Sequence, residues 1–194
     1  MFRVGLSGGI GSGKTTVSKV FQTLGIPVFY ADDTVKKLYD TDKRLQEAML
    51  NLFGPTIYDK GQLQPKILAA LIFNNDRLLR QVNELTHTLL SKAFTEWMQE
   101  QKAPYVLHEA AILFECGMAG EMDINISISA PESIRIARVI QRDGSSEEQI
   151  RQRISKQWSD EERNAKADYI IINDNKEALL PQITAIHKKI ITLV

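Results

Sequence analysis

The chain has 194 residues and lacks several features, each of which excludes a class of protein. It has one cysteine, Cys116, which excludes an internal disulfide framework and a multi-cysteine zinc site. A single thiol favours a reducing compartment, and we expect a cytoplasmic protein. The 24 basic and 24 acidic residues cancel to a net charge of zero. No overall basic field therefore attracts nucleic acid, and we expect no nucleic-acid partner.

Long apolar runs are also lacking. The longest covers residues 67–73, whereas a membrane-spanning helix needs about 20 residues. Residues 1–5 contain no apolar stretch of signal-peptide length, so we expect these residues to be structural and expect no membrane partner. The remaining composition, 43% hydrophobic and 25% charged, is that of a globular domain with a buried core. A monomer fits this composition, which does not determine the oligomeric state.

The hydrophobic pattern predicts an α/β fold. Residues 2–7 alternate as in a strand, a glycine cluster follows at residues 8–13, and apolar positions with helical spacing occupy residues 17–24. A second short strand at residues 27–30 completes a strand–helix–strand unit, which requires a parallel sheet. Similar reasoning places three further strands at residues 105–108, 124–129 and 169–172. We therefore predict a five-stranded parallel sheet flanked by helices.

Helical periodicity and stop signals predict the remaining segments. Ser146 and Gln149 resemble a capping box, which marks a helix start. Much of the helical sequence is inserted between the second and third strands and between the fourth and fifth. The predicted helices cover residues 31–39, 42–52, 65–73, 76 to about 101, and 131 to about 142, then further helices to about 166 and a last helix around 179–190.

The strongest motif is a phosphate-binding loop, Gly8-Gly9-Ile10-Gly11-Ser12-Gly13-Lys14-Thr15, which matches G-x-x-x-x-G-K-[ST]. Glycines let successive backbone N–H groups turn inward, and the loop ends at a helix N-terminus that favours anions. Lys14 is expected to reach the β- and γ-phosphates, and the Thr15 hydroxyl to hold Mg²⁺. The motif predicts binding of a nucleoside triphosphate and leaves the reaction open.

Three classes of P-loop protein compete at this point. A GTPase usually carries Asn-Lys-x-Asp, and the near match at residues 175–178 lacks the aspartate. An oligomeric ATPase usually has a longer chain and a clear Asp-Glu after a strand, whereas residues 106–109 give only Val-Leu-His-Glu. The chain length and the inserted arginine-bearing helices suit a small-molecule kinase with a substrate region and a lid.

Two further groups of residues carry chemistry that suits a kinase. Asp32 and Asp33 follow the second strand, and we expect Asp32 to accept a proton from the acceptor hydroxyl and Asp33 to cap a helix. The arginines between residues 135 and 153 are expected mostly on a solvated helix face. One or two could instead neutralise the transferring phosphate, with Arg142 first and Arg153 second, because Arg142 ends a helix before Gly144.

Together these segments resemble the dephospho-CoA kinase family over nearly the whole chain. Residues 5–15 are similar to that family's Gly-Leu-Thr-Gly-Gly-Ile-Gly-Ser-Gly-Lys-Ser, and Tyr30-Ala31-Asp32 resembles its Asp-Ala-Asp. Residues 83–87 resemble Asn-x-x-x-His with Thr88 in place of the next proline, and residues 111–115 resemble Pro-Leu-Leu-Phe-Glu with Ala111 in place of proline. Residues 142–144 and 153–157 look like lid signatures, and residues 167–173 look like the stretch before an adenine-side loop.

The resemblance implies the P-loop kinase fold and the transfer of phosphate from ATP, with Mg²⁺, to the ribose 3′-hydroxyl of dephospho-CoA. It implies one domain over residues 1–194, with a helical substrate region at about 32–103 and a lid at about 142–166. The expected catalytic residues are Asp32, Lys14 and Arg142. The expected ATP contacts are Gly8, Gly9, Ile10, Gly11, Ser12, Gly13, Lys14, Thr15, Thr16, Arg142 and Asn173, and the expected substrate contacts are Asp32, Lys36, His87, Leu113, Phe114, Glu115 and Arg153.

Two alternatives to this reaction stay open on the sequence alone. One is a P-loop kinase for another acceptor, such as a nucleoside or a shikimate-like alcohol. The other is a module that binds nucleotide without transferring phosphate.

Overall fold

The computed structural model describes residues 1–72 and 75–194. These residues form two compact units. We name Met1–Tyr30 together with Glu100–Val194 the sheet unit, and Ala31–Gln99 the helical unit. The helical unit covers almost the same residues as the predicted substrate region. Over the two described ranges, no helix is both long enough and apolar enough to cross a membrane.

Except for one short hairpin, the helices and strands follow one another as the sequence pattern predicts, with short 3-10 turns at Pro55–Ile57 and Met118–Glu121. In chain order they are β1 (Phe2–Gly8), α1 (Lys14–Thr23), β2 (Val28–Tyr30), α2 (Ala31–Thr41), α3 (Lys43–Phe53), β3 (Tyr58–Asp59), β4 (Gln62–Leu63), α4 (Pro65–Ile72), α5 (Asp76–Gln99), β5 (Tyr105–Glu109), β6 (Ile124–Ser129), α6 (Glu132–Asp143), α7 (Glu147–Ile154), α8 (Asp160–Asn164), β7 (Tyr169–Ile172) and α9 (Leu179–Ile191).

The sheet unit contains a five-stranded parallel sheet in the order β2-β5-β1-β6-β7, so the predicted sheet is confirmed. The central strand β1 pairs with β5 on one side and with β6 on the other. Its Val4 and Leu6 are fully buried, as expected for a strand covered on both faces. Because all five strands are parallel, their carboxyl ends lie along one edge, where loops can form a ligand site.

The core of the sheet unit explains why α1 and α9 flank the sheet. Val17 and Phe21 of α1 and Ile183, Ile186 and Ile190 of α9 pack in one cluster with the apolar residues of β1 and β6. These side chains recur every three or four residues, which places them on one face of each helix. Burial of this face fixes the start of α1, and therefore the preceding glycine loop, against the sheet.

The helical unit has its own core of buried side chains: Leu45, Met49, Ile57, Leu68 and Val82. The unit also contains an antiparallel hairpin, β3 with β4, that the sequence pattern did not predict. Its two strands have only two residues each, too few to show alternation. Residues 60–61 form the turn between these strands, and both have positive φ.

The predicted helix boundaries hold with small differences. Ser146 and Gln149 form the predicted capping box at the start of α7, and α6 begins directly after Pro131. A second capping box, of Ser159 and Glu162, starts α8. The helix predicted to start at Pro65 is α4, and its predicted last residue, Phe73, lies outside the described residues.

Candidate active site

The phosphate loop connects the carboxyl end of β1 to α1, as predicted. Ser12 N–H donates to Gly9 O at 3.0 Å, which closes a tight turn within the loop. Gly13 precedes α1 with a φ of 100°, a conformation that a side chain would strain. A methyl group there would also overlap Asn173 Nδ2. The N–H groups of the loop therefore lie next to the N-terminus of α1, which is the positive end of the helix dipole.

Lys14 is the first residue of α1, and its ammonium group folds back on the loop. Lys14 Nζ donates to Gly8 O at 2.8 Å, so this charge lies above the loop where phosphate oxygens would bind. Thr15 and Thr16 follow in the first turn of α1, and both are exposed. One hard hydroxyl oxygen beside a phosphate site fits Mg²⁺, which takes few protein ligands and completes its octahedron with phosphates and water. In the two described ranges, no group of three or more His, Cys, Asp or Glu side chains is arranged to hold a metal ion.

Arg135 of α6 packs directly under the phosphate loop. Its side chain is only 7% exposed, so the expectation of a solvated helix face is wrong for this arginine. A methyl group at Gly9 would overlap Arg135 Nη1, and a methyl group at Gly11 would overlap the Arg135 carbonyl oxygen. The glycines thus allow a cation and a helix backbone to approach the loop closely. The guanidinium group contributes positive charge beneath the expected phosphate site.

Arg138 and Asn173 hold the other end of the loop. Asn173 Nδ2 donates to Ser12 O at 2.7 Å. Arg138 Nη2 donates to Asn173 Oδ1 at 3.1 Å and to Asn175 Oδ1 at 2.5 Å. Asn173, an expected ATP contact, therefore lies at the loop, where its amide group supports the loop backbone. These bonds connect α6, the residues after β7 and the phosphate loop.

A buried ionic cluster lies beside the loop, formed by α8 and the residues just before it. Arg163 is fully buried, and it donates from Nη2 to Asp160 Oδ1 and from Nη1 to Trp158 O, both at 2.5 Å. Asp160 Oδ2 in turn accepts from Ser129 Oγ at 2.8 Å and from Ala130 N–H at 3.0 Å. Because buried charges need such partners, the cluster fixes α8 to the carboxyl end of β6.

Glu115, an expected substrate contact, also belongs to this cluster. Its Oε1 accepts from Trp158 N–H at 3.0 Å and lies 3.6 Å from Arg163 Nη1. Leu113 and Phe114, expected beside it at the substrate, are both buried. Phe114 stacks on the Trp158 ring with centroids 6.3 Å apart. The structure thus places these three residues in the packing that supports the segment around Trp158.

The two arginines expected on the lid are exposed at the end of α6 and on α7. Arg142 donates from Nε to Asp143 Oδ1 at 2.6 Å and from Nη2 to Oδ2 at 2.8 Å. This hydrogen-bonded pair raises the pKa of Arg142 and lowers that of Asp143. Arg153 Nη1 lies 4.0 Å from the same carboxylate. Both guanidinium groups therefore share Asp143 as their acidic partner.

The expected substrate residues of the helical unit lie on α2 and α5. Asp32 and Asp33 occupy the first turn of α2, directly after β2 in the chain. Lys36 Nζ donates to Asp33 Oδ1 at 2.9 Å, an exposed pair that raises the pKa of Lys36. His87 is half-buried on α5. Asp33 thus has a local ionic partner within its own helix.

A cavity of about 640 Å³ lies inside the helical unit between α3 and α5. Its walls are largely apolar, and polar side chains of both helices border them. The lining includes Leu45, Ala48, Leu85, Leu89, Arg44 and Glu84. A cavity with this mixture suits a partly apolar ligand.

Sequence reasoning missed the support that Arg135, Arg138, Asp160 and Arg163 give to the loop. Their partners lie far away in the chain: Arg138 and Gly11, for example, are 127 residues apart. Local periodicity cannot pair such residues. One usable signal was present, because the Ser159–Glu162 capping box marks the start of the short helix that carries both Asp160 and Arg163.

Comparison with known proteins agrees with this geometry. The family model described as Dephospho-CoA kinase matches residues 2–178. A dephospho-CoA kinase of Porphyromonas gingivalis is 40% identical over 96% of this chain and 93% of its own length. One of Bacteroides fragilis is 37% identical over 93% of this chain and 89% of its own length.

A solved structure extends the agreement to the fold. The dephospho-CoA kinase from Campylobacter jejuni is 27% identical, aligns over 97% of this chain and 96% of its own, and has a TM-score of 0.69. The likeness thus covers the sheet, the phosphate loop and the inserted helices, and the resemblance expected from the sequence is confirmed. The protein has the P-loop kinase fold, and its chain belongs to the dephospho-CoA kinase family.

Proposed function

We propose that this protein transfers the γ-phosphoryl group of ATP to the ribose 3′-hydroxyl of dephospho-CoA and releases coenzyme A and ADP. This is the last step of coenzyme A synthesis, and a cytoplasmic location suits an enzyme that consumes ATP. The observation that carries the proposal is the phosphate loop between β1 and α1, with Lys14 Nζ held over it at 2.8 Å from Gly8 O, in a chain of this family.

The loop residues have distinct roles in this proposal. The backbone N–H groups of Gly11, Gly13, Lys14 and Thr15 bind phosphate oxygens at the start of α1. Lys14 exchanges the Gly8 carbonyl for the β- and γ-phosphates, where its charge is most valuable in the transition state. The Thr15 hydroxyl would hold Mg²⁺, which neutralises charge on the β- and γ-oxygens when bound. Gly8, Gly9, Ile10, Ser12 and Thr16 shape the loop, and Asn173 supports it through Ser12 O.

Asp32 is the proposed base. It lies in the first turn of α2, two residues after β2 ends, and the carboxyl ends of parallel strands face ligand sites in folds of this kind. Asp33 is paired with Lys36, which supports a structural role for Asp33, and Asp32 is the nearer of the two to the end of β2. Its carboxylate would orient the acceptor hydroxyl and take its proton as the new bond to phosphorus forms.

The helical unit is the proposed site for the long acceptor. The cavity between α3 and α5 mixes apolar and charged side chains, which suits a molecule with both an apolar arm and phosphates. Lys36, His87 and Arg153 are the proposed polar contacts. Leu113 and Phe114 are buried, and Glu115 is bonded to Trp158 N–H, so we assign these three a supporting role within the sheet unit.

Arg142 and Arg153 are the proposed lid cations. Each would leave the shared Asp143 carboxylate for the transferring phosphate, which carries more charge. The lid is then shorter than the sequence suggests, because the Asp160–Arg163 cluster fixes α8 to β6. The moving part would be α7 with its flanking residues, from Gly144 to about residue 156.

An acceptor panel tests the proposed function. Purified protein is incubated with ATP, Mg²⁺ and dephospho-CoA, adenosine or shikimate, and the products are identified by mass spectrometry. We expect one added phosphate on dephospho-CoA, at the 3′ position. A faster reaction with adenosine or shikimate would indicate a kinase for another acceptor, and ATP binding without any transfer would indicate a binding module.

A further inference from the structure

One side-chain contact with the phosphate loop is not explained by phosphate binding. Ile10 N–H donates to Gln157 Oε1 at 2.9 Å, across 147 residues of sequence. Ile10 precedes the four N–H groups to which we assign the phosphates, so this bond can persist while nucleotide is bound. The side-chain amide of Gln157 therefore binds the loop at a backbone N–H that is not assigned to the phosphates of ATP.

The side chain of Ile10 makes a second connection in the same direction. It packs against a cluster formed by Ile136 and Val139 of α6 and Ile150 of α7. Ile150 is fully buried, so α7 cannot shift without disturbing this cluster. Ile10 is thus connected to α7 through its side chain and to Gln157 through its backbone.

Gln157 lies where α7 meets the fixed segment that leads to α8. Its N–H donates to Ile154 O at 3.0 Å, in the last turn of α7. The next residue, Trp158, is held on both sides, by Glu115 Oε1 at its N–H and by Arg163 Nη1 at its carbonyl. Gln157 therefore lies between the end of α7, the proposed moving helix, and a segment whose backbone is bonded to Glu115 and Arg163.

We propose that Gln157 is a positioning residue that couples the placement of α7 to the geometry of the phosphate loop, through Ile10. The role of this coupling in catalysis rests on the proposed phosphoryl transfer. The evidence that the two parts are connected is the pair of contacts made by Ile10. When α7 is in place, the Ile10 peptide is fixed and the following N–H groups converge on the phosphates. When the bond is lost, the loop samples other orientations and binds ATP less tightly.

Substitutions at Gln157 test the coupling. Gln157→Leu removes the acceptor at nearly constant size, Gln157→Glu keeps an oxygen acceptor, and Gln152→Leu is the matched control on the exposed side of α7. We expect amide exchange at Ile10 to accelerate at least about tenfold in Gln157→Leu, because an amide without its acceptor is exposed to exchange by local opening. Gln157→Glu should restore the protection of Ile10, although its charge weakens ATP binding.

Binding and turnover give the functional readout. For Gln157→Leu we expect ATP affinity by calorimetry to fall about three- to tenfold, because preorganisation of the loop is lost. We expect kcat to fall about ten- to a hundredfold through misplacement of the reacting groups, with the KM for dephospho-CoA unchanged. Ile10→Ala, which removes the other connection, should shift ATP affinity and kcat in the same direction.

The outcomes separate this proposal from the proposed function. If wild-type protein transfers phosphate to dephospho-CoA and Gln157→Leu behaves like Gln152→Leu, the coupling is refuted. It is also refuted if Ile10 exchange accelerates while ATP affinity and kcat stay at wild-type values. If wild-type protein transfers nothing to dephospho-CoA and Gln157→Leu still weakens ATP binding, the coupling stands and the proposed acceptor is wrong.

Discussion

Arg142 and Asp143, adjacent residues at the end of α6, form a two-bond ion pair, with Nε to Oδ1 at 2.6 Å and Nη2 to Oδ2 at 2.8 Å. Both side chains are accessible, since 62% of the Arg142 side chain and 30% of the Asp143 side chain are exposed. An exposed pair is weak, so a phosphate that arrives with ATP can compete for the guanidinium. The pairing with Asp143 would therefore not prevent Arg142 from binding a phosphate.

The first prediction concerns Arg142. If this guanidinium neutralises the transferring phosphate, Arg142→Ala should lower kcat on the order of 10³-fold, as loss of an arginine finger does. Arg151→Ala is the control, because Arg151 pairs with Glu132 and Glu147 on the surface and should change kcat by about twofold at most. Steady-state kinetics measures kcat for both variants. Near-normal turnover of Arg142→Ala would show that Arg142 takes no part in the transfer.

The second prediction concerns the base. Asp32→Asn keeps the size of the side chain but cannot accept the acceptor's proton, so kcat should fall on the order of 10²–10⁴-fold. ATP affinity should change little, because the carboxylate acts on the acceptor. Calorimetry and steady-state transfer measure the two quantities.

The matched control for the base is the neighbouring carboxylate. Asp33→Asn loses the pairing with Lys36 Nζ, an exposed interaction, and should cost far less activity. A severe loss in Asp33→Asn with a mild one in Asp32→Asn would move the base by one residue. Mild losses of activity in both variants would mean that neither carboxylate accepts the proton of the acceptor hydroxyl.

The third prediction concerns stability. Arg163 has no exposed side-chain surface, and it is bonded to Asp160 and to Trp158 O. Arg163→Met would leave the Glu115 carboxylate without its buried cation and leave Asp160 with only Arg135, at 4.0 Å, at a cost of about 3–5 kcal/mol. Arg151→Met removes an exposed cation and should cost about 0–1 kcal/mol. Denaturant unfolding compares the two, and equal unfolding free energies would contradict the assigned role of the cluster.

The fourth prediction concerns the ion pair between Arg3 of β1 and Asp123, the residue directly before β6. Asp123 accepts from the N–H of Arg3 at 2.7 Å and from its guanidinium at 3.0 Å. The side-chain hydrogen bond from Arg3 holds the pKa of Asp123 below its usual value. This stabilisation is therefore complete above the unfolded pKa of about 3.9, and it is lost as pH falls through the lower, folded pKa.

Asp123→Asn tests that pH dependence. The variant should unfold more easily than wild type at pH 7, and the difference should shrink as pH falls below about 4, where the Asp123 carboxyl is protonated first in the unfolded chain and then, at its lower pKa, in the folded protein. Thermal unfolding across this range measures it. A difference that stayed constant down to about pH 2 would show that the charge of Asp123 contributes no stability.

The sequence predicted the sheet because its signals are local. Each signal spans only a few neighbouring residues, as in the alternation at residues 2–7, the glycine loop, and the apolar runs at residues 105–108 and 169–172. The phosphate loop was predictable for the same reason, since its chemistry depends on closely spaced residues. The hairpin of β3 and β4 escaped prediction because two-residue strands show no period.

The support of the site was not predictable from one sequence. Arg135 and Arg142 are both helical arginines on α6, and no local feature separates the one buried under Gly9 from the one exposed beside Asp143. The difference comes from tertiary packing, which places Asp160 and the loop around Arg135. The expected roles of Asp32, Arg142 and Arg153 remain predictions, and the variants above test the first two directly.

The most direct test of the central claim is ADP release in the presence of ATP and Mg²⁺, with and without dephospho-CoA, for wild type and Lys14→Ala. We predict rapid release that requires dephospho-CoA. For Lys14→Ala, in which a charge at the surface loop is removed and the core is untouched, we predict a normal fold and a rate at least about 10²-fold lower. ADP release that is unaffected by dephospho-CoA, or that survives in Lys14→Ala, would contradict the account.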